Sequence, residues 1–241
     1  SGFADLLQMR DGGEPAYIPS LIADKTIGLY AVYATIAALF HKQKSGEGQF
    51  VQIPMFEAFT FFHMVENLYG ETWLPGNGRM AYTRSINKNR KPYKTQNGYI
   101  GLVPYSDEQW ELFFQIGGRP EVFSDPRFST YEARTQNIGE LYALIEEVAA
   151  TKTTEVWLEL LEDAQIPVMG FNSNMDVLTD PHLTDVGFFE ERAHPAGGSY
   201  RAMKHPVSFS KTPASIRSDP PQLGQDTETV LSQLGLGATF D

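Results

Sequence analysis

Pro19-Ser-Leu-Ile-Ala-Asp-Lys-Thr-Ile-Gly-Leu-Tyr30, followed by Ser45-Gly-Glu-Gly-Gln-Phe-Val-Gln-Ile-Pro-Met-Phe-Glu57, says more about this chain than any other part of its sequence. Ser20 is a residue type that caps helices, and the pattern after it predicts a helix over residues 21–44. Because the residues up to Phe40 are apolar on all sides, we expect this helix to be buried on every face.

The same stretch predicts two further elements after this helix. Ser45 to Gly48 has the glycines typical of a helix end, and Gln49–Ile53 reads as a short strand. Pro54 is suited to a helix start, and the residues Met55–Tyr69 predict a second apolar helix. A helix, a strand and a helix without a hairpin between them indicate part of an α/β layered unit.

Asp24 is the one acidic residue in the first predicted helix. Its plain interpretation is that an acidic side chain in the first turn complements the helix dipole. The alternative is a chemical role, because Gly28 lies one turn further on and removes a side chain where a ligand could approach. The dipole alone does not decide between the two.

Composition excludes several classes of function. The net charge of −11 argues against general nucleic-acid binding, which depends on neutralising phosphates. With no cysteine, the chain has neither a disulfide framework nor a thiolate metal site, and this favours a cytoplasmic location. Its five histidines lack ligand spacing, so we expect no metal. The uncharged run Thr26–Phe40 is too short to cross a bilayer, so we expect no membrane partner.

The middle of the chain has the sequence pattern of a mixed α+β domain. Asn97-Gly98 between two apolar segments predicts a hairpin of Pro92–Thr95 with Tyr99–Val103, because Asn-Gly accepts positive φ at both turn positions. Further elements are predicted from capping and periodicity. They are a helix opened by the capping box Ser106–Gln109 and ended at Gly117-Gly118, helices over 138–150 and 154–165, a strand over 166–168, a hairpin of 188–192 with 199–203, and a last helix over 227–234.

Several short motifs in a fixed order resemble one family, the family III CoA-transferases, which include formyl-CoA transferase and L-carnitine CoA-transferase. The motifs are Ile22-Ala-Asp-Lys-Thr-Ile-Gly-Leu29, Gly46-Glu-Gly-Gln-Phe-Val-Gln-Ile-Pro-Met-Phe-Glu-Ala58, Asn97-Gly-Tyr-Ile100, Asp125-Pro-Arg-Phe128, Ile166-Pro-Val168, Asp180-Pro-His-Leu183 and Lys211-Thr-Pro-Ala214. The resemblance covers essentially the whole chain. Members are usually longer, and we expect this chain to correspond to the C-terminal three-fifths of such an enzyme.

The resemblance implies an α/β fold in which the C-terminal part of a Rossmann-like large domain carries an inserted small α+β domain. It also implies a homodimer of interlocked protomers. We therefore expect residues 1–70 in the large domain, 71–91 as a linker, 92–187 as the small domain and 188–241 as a segment that returns to the large domain.

The resemblance also implies the chemistry. Asp24 occupies the place of the family's nucleophile, which would accept an acyl group from acyl-CoA and form an aspartyl-CoA thioester before CoA passes to a small carboxylic acid. Met55 falls where the family contacts CoA, although a methionine beside Phe56 is equally often core packing. CoA and acyl-CoA would then be substrates, and no tightly bound cofactor is expected.

One basic segment breaks the acidic trend of the chain. It contains Arg79, Arg84, Lys88, Arg90, Lys91 and Lys94 and no acidic residue. A solvated linker is one interpretation, and a rim that steers anionic substrates is the other. Arg84 and Arg90 are the candidate substrate-binding residues, because a guanidinium can bind a carboxylate through two hydrogen bonds.

Two other functions stay open at this point. Alpha-methylacyl-CoA racemase shares the family's fold, and the histidine that partners its aspartate would lie outside this sequence. A non-catalytic fragment or partner that only binds or dimerises is the second alternative, because most residues that hold the CoA nucleotide would also lie outside. The segment 85–93 lacks the glycine-rich loop of the formyl-CoA type.

Overall fold

The computed structural model describes residues 2–236, and the chain folds as two compact units, Ser1–Phe171 and Asn172–Asp241. The first unit contains α1 (Phe3–Asp11), α2 (Ile22–Ser45), α3 (Met55–Asn67), β1 (Tyr93–Lys94), β2 (Tyr99–Leu102), α4 (Asp107–Ile116), α5 (Tyr131–Gln136), α6 (Ile138–Ala149), α7 (Thr154–Asp163) and β3 (Val168–Gly170). The second contains α8 (Pro181–Asp185), β4 (Phe189–Ala193), β5 (Ser199–Met203) and α9 (Thr227–Gln233).

The main hydrophobic core lies between residues 93 and 168 of the first unit. An antiparallel sheet in the order β1-β2-β3 packs with α6 and α7, and Ile100 of β2 pairs with Gly170 of β3. Side chains of α4 complete the same core. Trp157 stacks on Phe113 with ring centroids 5.6 Å apart, and both side chains are fully buried. This core lies inside the predicted small domain, whereas the predicted boundaries at 70, 91 and 187 stay predictions.

Several local predictions are confirmed. Ser106 and Gln109 form the capping box of α4, α6 and α7 lie where periodicity places them, and β4 pairs with β5 in the second unit. Gly46 ends α2 with φ of 78°, a left-handed conformation that glycine adopts without a steric penalty. The last five residues of the predicted return segment lie outside the described residues.

The hairpin of β1 and β2 is confirmed, but the reason that predicted it is wrong. Neither Asn97 nor Gly98 has a positive φ. Asn97 acts through its side chain instead, because its Oδ1 accepts a hydrogen bond from the Thr154 N–H at 2.8 Å and its Nδ2 donates to Glu155 at 2.9 Å. The turn is thereby attached to the first residues of α7.

Two predictions around α2 are wrong. Residues 49–53 form no strand, because a strand needs a neighbour for its backbone hydrogen bonds and none of residues 2–236 supplies one here. The helix α2 is not buried on every face: Thr26 is its one buried residue within the described chain, and α3 is the principal element in contact with it. The apolar pattern of α2 predicted that its surface would be buried, but the pattern does not identify the element that covers that surface.

The length of α2 also corrects the argument against a membrane. The helix has 24 residues, so it is about 36 Å long at roughly 1.5 Å per residue. By length and composition it satisfies the criteria for a membrane span, as core helices of soluble proteins also can. Length therefore does not exclude a membrane, and the expected absence of a membrane partner stays a prediction.

Candidate functional site

The amino end of α2 opens into a cavity of about 610 Å³. The cavity lies where the beginning of α1, the loop before α2 and the first turns of α2 and α3 meet. Its lining residues are Gly2, Phe3, Ala4, Tyr17, Ile18, Ser20, Leu21, Ile22, Ala23, Asp24, Met55, Phe56 and Phe59. Asp24 contributes the one ionisable carboxylate of this set, so the cavity combines a single acidic group with a mostly apolar wall.

Asp24 is an exposed residue in the first turn of α2. The first backbone hydrogen bond of the helix runs from the Lys25 N–H to the Leu21 carbonyl at 3.1 Å. The amide groups of the preceding turn have no cap from a side chain. These amides carry the positive end of the helix dipole, which stabilises a carboxylate and any negative charge that develops beside it.

Ser20 does not cap α2, which corrects the prediction from sequence. The N-cap residue is Leu21, and it makes no side-chain hydrogen bond to the helix. The Ser20 hydroxyl instead accepts a hydrogen bond from Lys25 Nζ at 3.3 Å. The capping pattern therefore predicted the position of the cap to within one residue, but the Ser20 hydroxyl bonds to Lys25 and not to the helix amides.

The structure brings Asp24 and Met55 together. They are far apart in sequence, yet both line the same cavity, and Met55 is 50% exposed. Core packing is therefore not the role of Met55 within the described residues, and its contact with CoA stays a prediction. Gly28 does not line this cavity, although a Cβ added there would meet no atom outside the nearby backbone of its own helix within 4 Å.

The structure does not bring the basic segment to this cavity. Arg79 lines a second cavity of about 530 Å³, and Arg90 and Lys91 line a third of about 250 Å³. Lys91 is paired with Glu146 at 2.7 Å, whereas Arg84 lines none of the three. Substrate binding by Arg84 and Arg90 stays a prediction.

Two tyrosines lie in the wall of the third cavity. Burial raises the pKa of Tyr93 and of Tyr142. The positive charge of Arg90 lowers the pKa of both tyrosines, and that of Arg84 lowers the pKa of Tyr142, but burial is the larger effect. Both phenols are therefore neutral at ordinary pH.

Among residues 2–236, no three His, Cys, Asp or Glu side chains are arranged to hold a metal ion.

Sequence reasoning missed one wall of the Asp24 cavity. The helix α1 was not predicted, and its Phe3 stacks on Phe59 of α3 with ring centroids 5.2 Å apart. One turn further along α3, the buried ring of His63 lies 4.5 Å from the Phe3 ring. These contacts join elements about 55 residues apart in the sequence. The local sequence pattern of neither segment predicts a contact with the other.

His63 is a buried titratable residue that packs against Phe3 behind this wall. Its side chain is 4% exposed, and its Nδ1 has no hydrogen-bond partner within the described residues. Burial lowers the pKa of His63, and the charges of Glu66 and Asp5 oppose that shift. Between its ordinary value of about 6.5 and its lowered value, the unfolded chain binds a proton that the folded chain does not.

We therefore expect the stability of the protein to fall as pH drops below about 6.5, because protonation of His63 favours the unfolded state. His63→Leu should reduce the fall, since leucine fills the site without a titrating group. The measurement is the thermal midpoint of both proteins at pH 8 and at pH 5.5. His41→Leu on the exposed end of α2 is the control, and an equal fall in wild type and His63→Leu would contradict this role of His63.

The comparisons with known proteins agree with the sequence motifs. The model of the family described as CoA-transferase family III matches residues 1–227. The chain therefore belongs to the family III CoA-transferases. It is 25% identical over 231 residues to the human succinyl-CoA:glutarate CoA-transferase, with 93% of this chain and 51% of that protein aligned. It is 27% identical over 251 residues to an Escherichia coli formyl-CoA:oxalate CoA-transferase, with 92% and 59% aligned.

Solved structures give the same fold. A Mycobacterium tuberculosis protein matches with a TM-score of 0.72 at 22% identity, over 92% of this chain and 60% of that one. A CAIB/BAIF family protein from Brucella suis matches with a TM-score of 0.71 at 25% identity, over 97% and 60%. The predicted α/β, family III fold is confirmed. The chain spans about half the length of the curated relatives it matches.

Proposed function

We propose that this chain carries the nucleophile of an enzyme that moves CoA from an acyl-CoA donor to a small carboxylic acid. The observation that carries the proposal is the position of Asp24, an exposed carboxylate on the wall of a largely apolar cavity at the start of a long helix. Family membership supports the reaction class.

In the proposed reaction, one Asp24 carboxylate oxygen attacks the thioester carbonyl carbon of the donor. The new C–O bond forms, the C–S bond breaks, and CoA leaves as a thiolate, which gives a mixed anhydride. The thiolate then attacks the Asp24 carbonyl, and the donor acid leaves as its carboxylate. An aspartyl-CoA thioester remains, and no proton has been gained or lost.

The second half of the reaction repeats these steps with the acceptor. Its carboxylate attacks the Asp24 carbonyl carbon and displaces the CoA thiolate, which then attacks the acceptor's acyl carbon. Acceptor acyl-CoA leaves, and Asp24 is a carboxylate again. In each step an oxyanion forms beside the first turn of α2, where uncapped amides and the helix dipole would stabilise it. The apolar wall strengthens that effect.

The test is an exchange assay on the full-length protein. An acyl-CoA is incubated in deuterated water with a panel of carboxylic acids, and the CoA esters are analysed by mass spectrometry. We expect CoA esters of the added acid, without solvent deuterium at the α-carbon of the donor. Deuterium at that carbon without exchange would identify a racemase, and the absence of both reactions would favour a protein that only binds or dimerises.

We further propose that the exposed apolar face of α2 and α3 is covered by protein in a homodimer. Large apolar side chains are exposed here, namely Leu29, Val32, Tyr33, Ile36, Leu39, Phe40, Phe61, Phe62 and Val65. Many exposed large apolar side chains on neighbouring helices are typical of an interface. Sedimentation equilibrium of the full-length protein should give twice the monomer mass, and a monomer would contradict the proposal.

A cytoplasmic location is proposed as well, and cell fractionation tests it.

A further inference from the structure

A cation follows the proposed nucleophile in the sequence of α2. Lys25 follows Asp24, and its Nζ donates a hydrogen bond to the Ser20 hydroxyl at 3.3 Å. Ser20 lines the cavity that Asp24 lines. Lys25 is not itself a lining residue, so the hydrogen bond joins its ammonium group to a residue of the cavity wall, on the side where the helix begins.

This placement gains little for the helix itself. A cation near the amino end of a helix opposes the helix dipole, and a long side chain held in one conformation loses rotamer freedom. Within residues 2–236, Lys25 forms no ion pair with a carboxylate that would offset these costs. An anion in the cavity would gain from the ammonium group, the hydroxyl and the dipole together.

The rest of the wall indicates what such an anion carries. Apart from Asp24 and the hydroxyl groups of Ser20 and Tyr17, the lining side chains are apolar. The large ones are Phe3, Leu21, Ile22, Met55, Phe56 and Phe59. A ligand with one charged end and an apolar body fits both parts, whereas a second charge on the body would have to be desolvated against this wall.

We propose that Lys25, positioned by Ser20, binds the carboxylate of the acceptor acid, and that the acid is a monocarboxylate with an aliphatic or aromatic body. This inference rests on the proposed function, since the acceptor must reach the Asp24 carbonyl. Lys25 holds one carboxylate oxygen while the other attacks, so the ammonium group keeps its proton throughout. The apolar body lies against Phe56 and Phe59.

Binding is measured first, with 3-methylbutanoate as the probe and the full-length protein in the absence of CoA. Lys25→Met keeps the length of the side chain and removes its charge, and it should weaken binding roughly three- to tenfold. Lys42→Met near the far end of α2 is the matched control and should bind as wild type does. Added salt should weaken binding to wild type more than to Lys25→Met, because salt screens the ion pair.

Three binding results would overturn the proposal. They are equal affinity of wild type and Lys25→Met, the absence of binding to wild type, and binding of butanedioate as tight as that of 3-methylbutanoate. The last result would show that the wall accepts a second carboxylate. Ser20→Ala should weaken binding less than Lys25→Met, because it frees the ammonium group without removing it.

Kinetics separate this proposal from the proposed function. If wild type exchanges CoA, Lys25→Met should raise KM for the acid roughly three- to tenfold with kcat nearly unchanged, and Lys25→Arg should recover part of the loss. An unchanged KM would overturn the assignment of Lys25 and leave the transferase activity intact. Binding of the acid without any exchange would remove the proposed function and leave the carboxylate site.

Discussion

Replacement of Asp24 by asparagine should reduce CoA exchange by on the order of 10⁶-fold, the size of loss seen when the nucleophile is removed from a hydrolase. Asparagine has nearly the same shape, but its amide oxygen is a far weaker nucleophile than a carboxylate oxygen, so the first anhydride cannot form. The measurement is the rate of acceptor acyl-CoA formation by the full-length protein at saturating substrates.

Glu57→Gln is the matched control for this substitution. Glu57 is also an exposed acidic residue in the first turn of a helix, but it does not line the cavity. Its replacement should change the rate by no more than about twofold, because only a small dipole term is lost. A comparable loss in both variants would point to general disturbance of the site. Full activity of Asp24→Asn and Asp24→Ala would exclude Asp24 as the nucleophile.

The largest expected effect on stability is that of Trp157→Ala. The side chain is fully buried, it stacks on Phe113, and its indole N–H donates to the Ala149 carbonyl at 2.8 Å. Its removal leaves a cavity and an unpaired buried carbonyl, so we expect the free energy of unfolding to fall by about 3–5 kcal/mol. Urea unfolding followed by circular dichroism measures the change.

Val156→Ala provides the comparison for Trp157→Ala. Val156 precedes Trp157 on α7 but is 41% exposed, and the change should cost no more than about 0.5 kcal/mol. If both variants unfold at the same urea concentration as wild type, the core between β2, α4, α6 and α7 is not the one described. A fall in the Val156→Ala variant as large as that in Trp157→Ala would also contradict it.

Local patterns predicted the elements whose signals lie within a few residues. The capping box of Ser106 and Gln109 needs two side chains three positions apart, and Gly46 ends α2 through its own φ. Asn97 predicted the right hairpin for the wrong reason, because its side chain bonds to Thr154 rather than adopting a positive φ. The position of the turn could be predicted from the sequence. The way in which Asn97 stabilises the turn could not, because it depends on a contact with α7, far along the chain.

Contacts between distant segments were not readable. The sequence predicted Asp24 and Met55 as site residues by resemblance, but the cavity they share also needs Phe3, from a helix that was not predicted. The hydrogen bond from Lys25 to Ser20 depends on how the loop before α2 folds back. The exposed faces of α2 show the same limit, since apolar periodicity does not say which surface covers it.

The most direct test of the central claim is to trap the covalent intermediate on Asp24. The full-length protein is incubated with acyl-CoA and then with hydroxylamine, which converts an aspartyl thioester to a hydroxamate, and the tryptic peptides are sequenced by mass spectrometry. The proposed mechanism predicts a hydroxamate on Asp24 that requires acyl-CoA and is absent from Asp24→Asn. Exchange activity with the hydroxamate on another residue, or with no hydroxamate on Asp24, would contradict it.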